Sequence, residues 1–320
     1  MMSQMPADSC GDRQLTERSL VTAKQDADAE PFLSCRSLIR AMEARFREAG
    51  LPEARVEAEW LLADVLGLPT RTELYVREQL LEPSQTRKML AMADQRCRGT
   101  LLPYLTGSVE FFGHRLRVSP EVLIPRPETE VLVARVIAYL QRLALERRSS
   151  VMALDLGTGS ANIAVSLAKA VSACQVIAVE LSWVALKVAK TNMLRHGVSH
   201  RVHLVQADCA DSIRGPIDVV IANLPYVPTS EVSHPPLLGN GEPRMSLDGG
   251  PDGMQLQRRL LADVPRLLPK GGIVCMECAE DQADRLVGEA RQDTRTQRAQ
   301  VIYDLTNRPR GLWIEVSPIS

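Results

Sequence analysis

The chain has 320 residues, of which 45% are hydrophobic and 24% are charged, enough for about two domains with sizeable cores. Its formal net charge of -1 excludes a general attraction to nucleic acid, and no apolar stretch reaches the roughly 18 residues that a membrane-spanning helix needs. Seven irregularly spaced cysteines, without a signal peptide, predict reduced thiols and a cytoplasmic location.

The N-terminal third of the chain begins with a polar stretch. Residues 1–33 lack a hydrophobic period and carry more acid than base, which predicts a disordered tail and argues against a mitochondrial transit peptide. Over residues 34–103, apolar residues such as Leu38 and Phe46 recur at helical spacing, and Ser84 is placed to cap a third helix. Such stripes are more often core than binding surface, so the pattern predicts a small helical domain.

Residues 104–124 are richer in β-formers. The segments VEFFG and LRVSP, separated by Gly113-His114, predict a hairpin that joins two domains. Pro127 then begins a long predicted helix. From Val151 onward, strands and helices alternate, which predicts a parallel sheet flanked by helices. The ending QVIYDLTNRPRGLWIEV is typical of two strands joined by a turn.

A glycine turn follows the first strand of this sheet. In DLGTGSAN, Gly157 and Gly159 allow a tight turn and a close backbone approach to a ligand, although a plain strand-to-helix turn would read the same way. The next strand ends in Glu180, 25 residues after Asp155, where a carboxylate can bind ribose hydroxyls. Asp208 ends the following strand and is a candidate for an adenine amino group.

Two observations limit this interpretation. Glu180-Leu181-Ser182 is also typical of a simple helix cap, so the ribose role has a structural alternative. The glycine turn lacks the Lys-Ser/Thr of a phosphate-binding P-loop, which favours a nucleoside without phosphates.

The motif Asn223-Leu224-Pro225-Tyr226 follows the apolar run IDVVIA, which is typical of a buried parallel strand. Ligands of open α/β sheets bind beyond the carboxyl ends of such strands. The Asn223 side-chain oxygen and the adjacent backbone carbonyl can both accept hydrogen bonds from one planar amino group, and Tyr226 offers a ring face for stacking. This arrangement predicts chemistry on nitrogen.

Of two further segments, one is predicted to bind substrate and the other is predicted to have no metal-binding role. Residues 227–253 are rich in Pro and Gly and far exceed the usual connection of about 4 to 6 residues, which favours a substrate-binding loop over disorder. Cys275 and Cys278 form a CxxC within the apolar run IVCMECA, where residues three apart face opposite sides of a strand. With no second CxxC or paired histidines, we predict no metal site.

Several separated motifs together resemble the HemK/PrmC family of release factor glutamine methyltransferases. They occur in the family order: YLTGSVEFFGHRLRVSPEVLIPRPETE at 104–130, DLGTGS at 155–160, NLPYVP at 223–228 and SLDGGPDG at 246–253. The resemblance implies an α/β fold with a Rossmann-like class I methyltransferase sheet whose last strand is antiparallel, preceded by a small helical domain. It divides the chain into a substrate-recognition domain (34–103), a hairpin linker (104–124) and a catalytic domain (125–320).

The resemblance also implies S-adenosylmethionine as cofactor and peptide chain release factors, with their Gly-Gly-Gln tip, as substrate. We expect a monomer that binds neither nucleic acid nor membrane directly. The implied catalytic residues are Asn223, Leu224, Pro225 and Tyr226. The implied cofactor-binding residues are Asp155, Gly157, Thr158, Gly159, Ser160, Ala161, Glu180, Asp208, Cys209 and Asn223.

Three positions depart from the family pattern. Leu224 replaces the first Pro of NPPY but keeps its backbone carbonyl, Ala161 replaces the usual third Gly, and Cys209 stands where a larger residue can lie near the adenine. Two alternatives stay open, and the departures at Leu224 and Ala161 bear on the second. One is the same reaction on a ribosomal-protein glutamine or a nucleic-acid amine, and the other is a protein that binds the cofactor without catalysis.

Overall fold

A computed structural model describes residues 33–76, 80–232 and 241–319. The predicted polar tail lies outside these residues, apart from its last position. The chain divides between Arg98 and Gly99 into two compact units.

The first unit is helical. Leu38 and Phe46 are 1% and 0% exposed, so the predicted apolar stripe packs inward. The last helix begins one residue before Ser84: Glu82 occupies the cap position, and Gln85 accepts a hydrogen bond from its N–H (2.9 Å). The elements are α1 (Cys35–Glu48), α2 (Ala54–Val65), a short 3-10 helix (Arg71–Tyr75) and α3 (Pro83–Cys97).

The second unit opens with a short helix, α4 (Leu102–Thr106), and the predicted hairpin, β1 (Ser108–Phe111) and β2 (His114–Arg117). Its turn residues are Phe112 and Gly113 rather than Gly113 and His114, because Phe111 pairs with His114. Both turn residues have positive φ, 50° and 71°, as a tight two-residue hairpin requires.

A seven-stranded sheet forms the centre of the second unit. Its strands are β3 (Val151–Leu156), β4 (Cys174–Glu180), β5 (Val202–Gln206), β6 (Val219–Ala222), β7 (Lys270–Glu277), β8 (Thr296–Tyr303) and β9 (Pro309–Pro318). Their spatial order is β5-β4-β3-β6-β7-β9-β8. Strands β3 to β7 are parallel, and β9 runs antiparallel to both β7 and β8. The predicted antiparallel last strand is therefore confirmed.

Helices cover both faces of this sheet, so its central strands are buried on both sides. Ala153 belongs to one hydrophobic core and Leu154 to the other, following the period of two along a strand. The first core contains residues of α5 (Pro127–Arg147), α6 (Asn162–Ala170) and α7 (Trp183–Arg195), whereas α9 (Gln255–Leu267) and α10 (Ala283–Ala290) contribute to the second. A single turn, α8 (Thr229–Val232), lies after β6.

This three-layer architecture confirms the predicted Rossmann-like methyltransferase fold and its N-terminal helical region. Cys275 lies in the first core and Cys278 in the second, so the two thiols face opposite sides of the sheet, as predicted. Among the described residues, no cluster of His, Cys, Asp and Glu is arranged to hold a metal ion. None of the helices in these ranges is long and apolar enough to span a bilayer.

Candidate active site

The carboxyl ends of four parallel strands bring the predicted site residues to one edge of the sheet. Asp155 lies in β3 beside the end of β6, which Asn223 follows directly. Glu180 is the last residue of β4, and Asp208 comes shortly after β5. Because ligands of open α/β sheets bind beyond this edge, it is the candidate active site.

Asp155 is a buried carboxylate in which one oxygen is hydrogen-bonded and the other is not. Its Oδ2 accepts hydrogen bonds from the Thr158 hydroxyl (2.6 Å) and the Ala164 N–H (3.2 Å). Its Oδ1 is buried without a partner among the described residues. Burial raises the pKa of Asp155 to about 7, outweighing the lowering effect of the two hydrogen bonds. A carboxylate oxygen without a hydrogen-bond donor can bind a cationic group of a ligand.

The glycine turn contacts the NLPY motif directly. Gly157 has φ 72°, and a Cβ built on it would lie 3.2 Å from Leu224 Cδ2 and 3.5 Å from the Asn223 carbonyl oxygen. Ala161, which replaces the third glycine, also has a left-handed backbone, with φ 63°, and is fully buried. This conformation costs a non-glycine residue about 1–2 kcal/mol, so the replacement leaves strain in the turn.

Asn192 ties the same turn to the hairpin, a link that the sequence analysis missed. Its Nδ2 donates to the Ser160 carbonyl (2.8 Å), and its side chain pairs with both backbone groups of Arg117 (2.7 and 2.9 Å). The Ser160 hydroxyl is buried without a partner among the described residues. No charge or motif marked Asn192 in the sequence, since its role depends on three segments meeting in space.

Glu180 bridges the glycine turn and the start of α7. Its Oε2 accepts the Gly159 N–H and its Oε1 accepts the Ser182 N–H, both at 3.0 Å. Ser182 is itself the capping residue of α7 and accepts the Ala185 N–H. The helix cap and a ligand role are thus compatible, because Ser182 supplies the cap hydrogen bond.

Asp208 and Cys209 lie further out along the edge. The Asp208 side chain is 51% exposed and pairs with Arg259 (2.9 Å), which also binds Asp211 (2.7 Å). Cys209 is half-buried with φ 46°, and burial raises the pKa of its thiol to about 11. The thiol is therefore neutral at physiological pH.

The NLPY motif contains two candidate acceptors in consecutive residues, the Asn223 side-chain oxygen and the Leu224 carbonyl. Asn223 is half-buried and Leu224 is 5% exposed, with its side chain packed in the second core. Among the described residues, no donor bonds the Asn223 Oδ1 or the Leu224 carbonyl, whereas the Asn223 Nδ2 donates to Thr129 (3.2 Å). The Pro225 carbonyl, in contrast, accepts a hydrogen bond from Gln257 (3.3 Å).

A buried carboxylate, Glu277, lies behind the motif. Its Oε2 accepts the Thr129 hydroxyl (2.6 Å) and its Oε1 accepts the Tyr226 hydroxyl (3.2 Å). Burial raises the pKa of Glu277 to about 6 and that of the Tyr226 phenol above its ordinary value. The sequence analysis missed both Thr129 and Glu277. Their signals were present: Thr129 belongs to IPRPETE, and Glu277 is the charged residue within IVCMECA.

The SLDGGPDG segment packs against the backbone of the NLPY motif. A Cβ on Gly249 would lie 2.7 Å from the Pro225 carbonyl oxygen and 2.8 Å from Tyr226 Cα. A Cβ on Gly253 would overlap the Tyr226 carbonyl, which accepts a hydrogen bond from Gln282 (2.8 Å). Because these glycines have no Cβ, the loop can pack directly against the backbone of the motif.

The long loop is also tied to the IPRPETE segment. The carboxylate of Glu242, 1% exposed, accepts the Ile124 N–H (2.9 Å) and pairs with Arg126. Thr229 and Asp248 close the base of the loop through a 2.6 Å hydrogen bond. Residues 227–232 and 241–253 are therefore ordered against the site, with short helical turns that the sequence did not predict.

Two surface grooves of about 650 and 460 Å³ lie elsewhere in the second unit. Neither is lined by a predicted site residue. The site is therefore defined by its convergent polar groups at the sheet edge rather than by these grooves.

Comparison with known proteins supports the fold and the family. A family described as the PrmC N-terminal domain matches residues 37–107, and a methyltransferase domain family matches residues 147–310. Among solved structures, the catalytic domain of human METTL16 in complex with a 3'UTR hairpin is similar with a TM-score of 0.51. It is 16% identical and covers 76% of this chain and 85% of that chain, so it supports the fold alone.

Two curated relatives are named release factor glutamine methyltransferase. The protein of Moorella thermoacetica is 38% identical over 268 residues, which are 83% of this chain and 93% of that protein. The protein of Chlorobaculum tepidum is 35% identical over 293 residues, 88% of this chain and 97% of that protein. This similarity covers both units and every motif of the site. The chain therefore belongs to the release factor glutamine methyltransferase family, as the motifs predicted.

Proposed function

We propose that this protein transfers a methyl group from S-adenosylmethionine to the side-chain amide nitrogen of the glutamine in the Gly-Gly-Gln motif of peptide chain release factors. One observation carries the proposal: Asn223 Oδ1 and the carbonyl of the next residue, Leu224, both lack a donor among the described residues. A primary amide has two N–H groups, which match these two acceptors. The names of the relatives support the same substrate.

The residues of the edge fit the cofactor. The orphaned Asp155 Oδ1 suits the cationic amino group of its methionine part. Glu180 suits the ribose hydroxyls and Asp208 the adenine amino group, with the turn from Gly157 to Ala161 approaching the ligand through its backbone. When bound, S-adenosylmethionine supplies a methyl group on a positively charged sulfur, which is a strong electrophile.

The nucleophile explains why the protein needs paired acceptors. An amide nitrogen shares its lone pair with the carbonyl, so it attacks poorly, and its pKa is too high for a side chain to deprotonate it. Asn223 and Leu224 bind its two N–H groups, raise the electron density on nitrogen and hold it in line for attack. Orientation and preorganised dipoles of this kind contribute several kcal/mol. After transfer, the surplus proton leaves to a carbonyl or to water.

Substrate binding is assigned to segments outside the catalytic edge. Residues 34–103 form a recognition domain, 104–124 a hairpin linker and 125–320 the catalytic domain, and the loop of residues 227–253 contacts the protein substrate. The tethers of this loop through Glu242 and Asp248 support the assignment, since both hold it beside the NLPY motif. We further propose that the protein acts as a monomer in the cytoplasm, where translation takes place.

The direct experiment incubates the purified protein with labelled S-adenosylmethionine and purified release factors, and locates the methyl group by mass spectrometry. Label on the Gly-Gly-Gln glutamine is expected, and none when that glutamine is replaced by alanine. Label on a ribosomal-protein glutamine or a nucleic-acid amine in parallel reactions, with none on release factors, would replace the proposed substrate. Cofactor binding without any transfer would indicate a non-catalytic protein.

A further inference from the structure

The proposed mechanism leaves a buried carboxylate beside the reacting groups without a role. Glu277, the last residue of β7, is 3% exposed, and a charge at such a site is costly unless it is fully hydrogen-bonded. Both of its hydrogen-bond donors belong to the site: the Thr129 hydroxyl on one oxygen and the Tyr226 hydroxyl on the other. Thr129, 1% exposed, in turn meets the Asn223 side chain.

The protons of this network determine which way the Asn223 carboxamide faces. An ionised carboxylate accepts hydrogen bonds and donates none, so the single hydroxyl proton of Thr129 points to Glu277. The Thr129 oxygen then offers lone pairs alone to its other neighbour. Of the two ends of the Asn223 carboxamide, the NH₂ group alone can bond those lone pairs, which turns Oδ1 away from Thr129.

We propose that Glu277 is a positioning residue that acts through Thr129 to hold the Asn223 carboxamide with its oxygen towards the substrate amide, while it anchors the Tyr226 hydroxyl at the other end of the motif. This inference rests on the proposed function. A carboxamide turned by 180° would present NH₂ to the NH₂ of the substrate. The substrate NH₂ would then face the Asn223 NH₂, a second donor, in place of one of its two acceptors.

Removal of the carboxylate should reverse the carboxamide. In Glu277→Leu, the buried Thr129 hydroxyl has lost its acceptor, and it can donate instead to Asn223 Oδ1 once the carboxamide has turned over. The loss of one preorganised contact predicts a fall in kcat of about a hundredfold. The KM for the release factor and the affinity for S-adenosylmethionine should change little, because Glu277 is 3% exposed and meets the site through Thr129 and Tyr226.

A second substitution separates positioning from a structural role. In Glu277→Leu/Thr129→Val, no hydroxyl enforces the wrong orientation, so the substrate can select the correct one, and kcat should recover to within about tenfold of the wild type. Asp218→Leu is the matched control. It removes a carboxylate that bonds Met152 and Arg147 at the opposite edge of the sheet, and it should leave kcat unchanged.

The readouts are kcat and KM for glutamine methylation, melting temperature, and the NMR signals of the Asn223 side-chain NH₂ in selectively labelled protein. These NH₂ signals should shift in Glu277→Leu and stay near their wild-type positions in Asp218→Leu. Wild-type kcat in Glu277→Leu, equal losses in the single and double variants, or unmoved NH₂ signals would each overturn the inference. Absence of methylation by the wild type would count against the proposed function, whereas the NMR comparison would still decide the orientation of Asn223.

Discussion

Gly249 offers the sharpest test of how the SLDGGPDG segment supports the NLPY motif. A Cβ on this residue would lie 2.6 Å from the Gly253 carbonyl oxygen, 2.7 Å from that of Pro225 and 2.8 Å from Tyr226 Cα. All three neighbours are backbone atoms, so no side chain can rotate to make room. In Gly249→Ala the loop and the motif must therefore move apart.

The size of the effect follows from these contacts. Real Cβ atoms essentially never approach other heavy atoms within 3.0 Å, so the two segments must separate by roughly 0.5 Å. Since a misplacement of about 1 Å in an active site can cost a hundredfold in rate, half of that predicts a fall in kcat of about tenfold. The overpacking should also lower the free energy of unfolding by about 1–3 kcal/mol.

Gly288→Ala is the matched control. This glycine lies in α10, and a Cβ there would meet no heavy atom within 4 Å. Because alanine is the better helix former, the substitution should raise the free energy of unfolding by about 0.5–1 kcal/mol and leave kcat unchanged. Urea unfolding and methyl transfer to a release factor at saturating cofactor measure both quantities. Wild-type kcat in Gly249→Ala, or a stability change of the same sign in both variants, would refute the reasoning.

Three further predictions concern the edge of the sheet. Asn223→Ala should lower kcat at least about a hundredfold through the loss of one acceptor, with little change in calorimetric affinity for the cofactor; unchanged methylation would contradict its role. Glu180→Ala should mainly weaken cofactor binding, and native affinity in a titration would leave Glu180 as a structural bridge alone. Below pH 7 the folded protein keeps a proton on Asp155, because burial raises its pKa to about 7, and a cationic ligand group at Oδ1 must displace that proton. Affinity for S-adenosylmethionine should therefore rise as pH increases towards 7 and lose this dependence in Asp155→Asn, which calorimetry at several pH values can check.

The raised pKa of Asp155 has a second consequence for the free protein. Its folded value of about 7 lies above the ordinary 3.8, so its contribution to stability is complete below about pH 3.8 and is lost as pH rises through 7. Bound cofactor, which favours the ionised form, should offset this loss.

The alternation of strands and helices and the chemistry of the strand ends could be predicted from the sequence because both depend on local patterns. Apolar runs of strand length mark β3, β4 and β6, and the residues Asp155, Glu180 and Asn223 occur where those runs end. A parallel sheet brings equivalent ends together, so their convergence followed from the alternation of strands and helices. The departures at Leu224 and Ala161 were also visible, although the left-handed backbone of Ala161 was not.

The sequence by itself determined the fold class, the family and the edge of the sheet where the candidate site residues converge, because hydrophobic period and motif spacing are properties of neighbouring residues. Tertiary structure alone decided which polar groups support the site. Glu277 lies 148 residues from Thr129, and Asn192 lies 75 from Arg117. A hydrogen bond between residues so distant in the chain depends on where folded segments meet, and a single sequence carries no local pattern that specifies such a pairing.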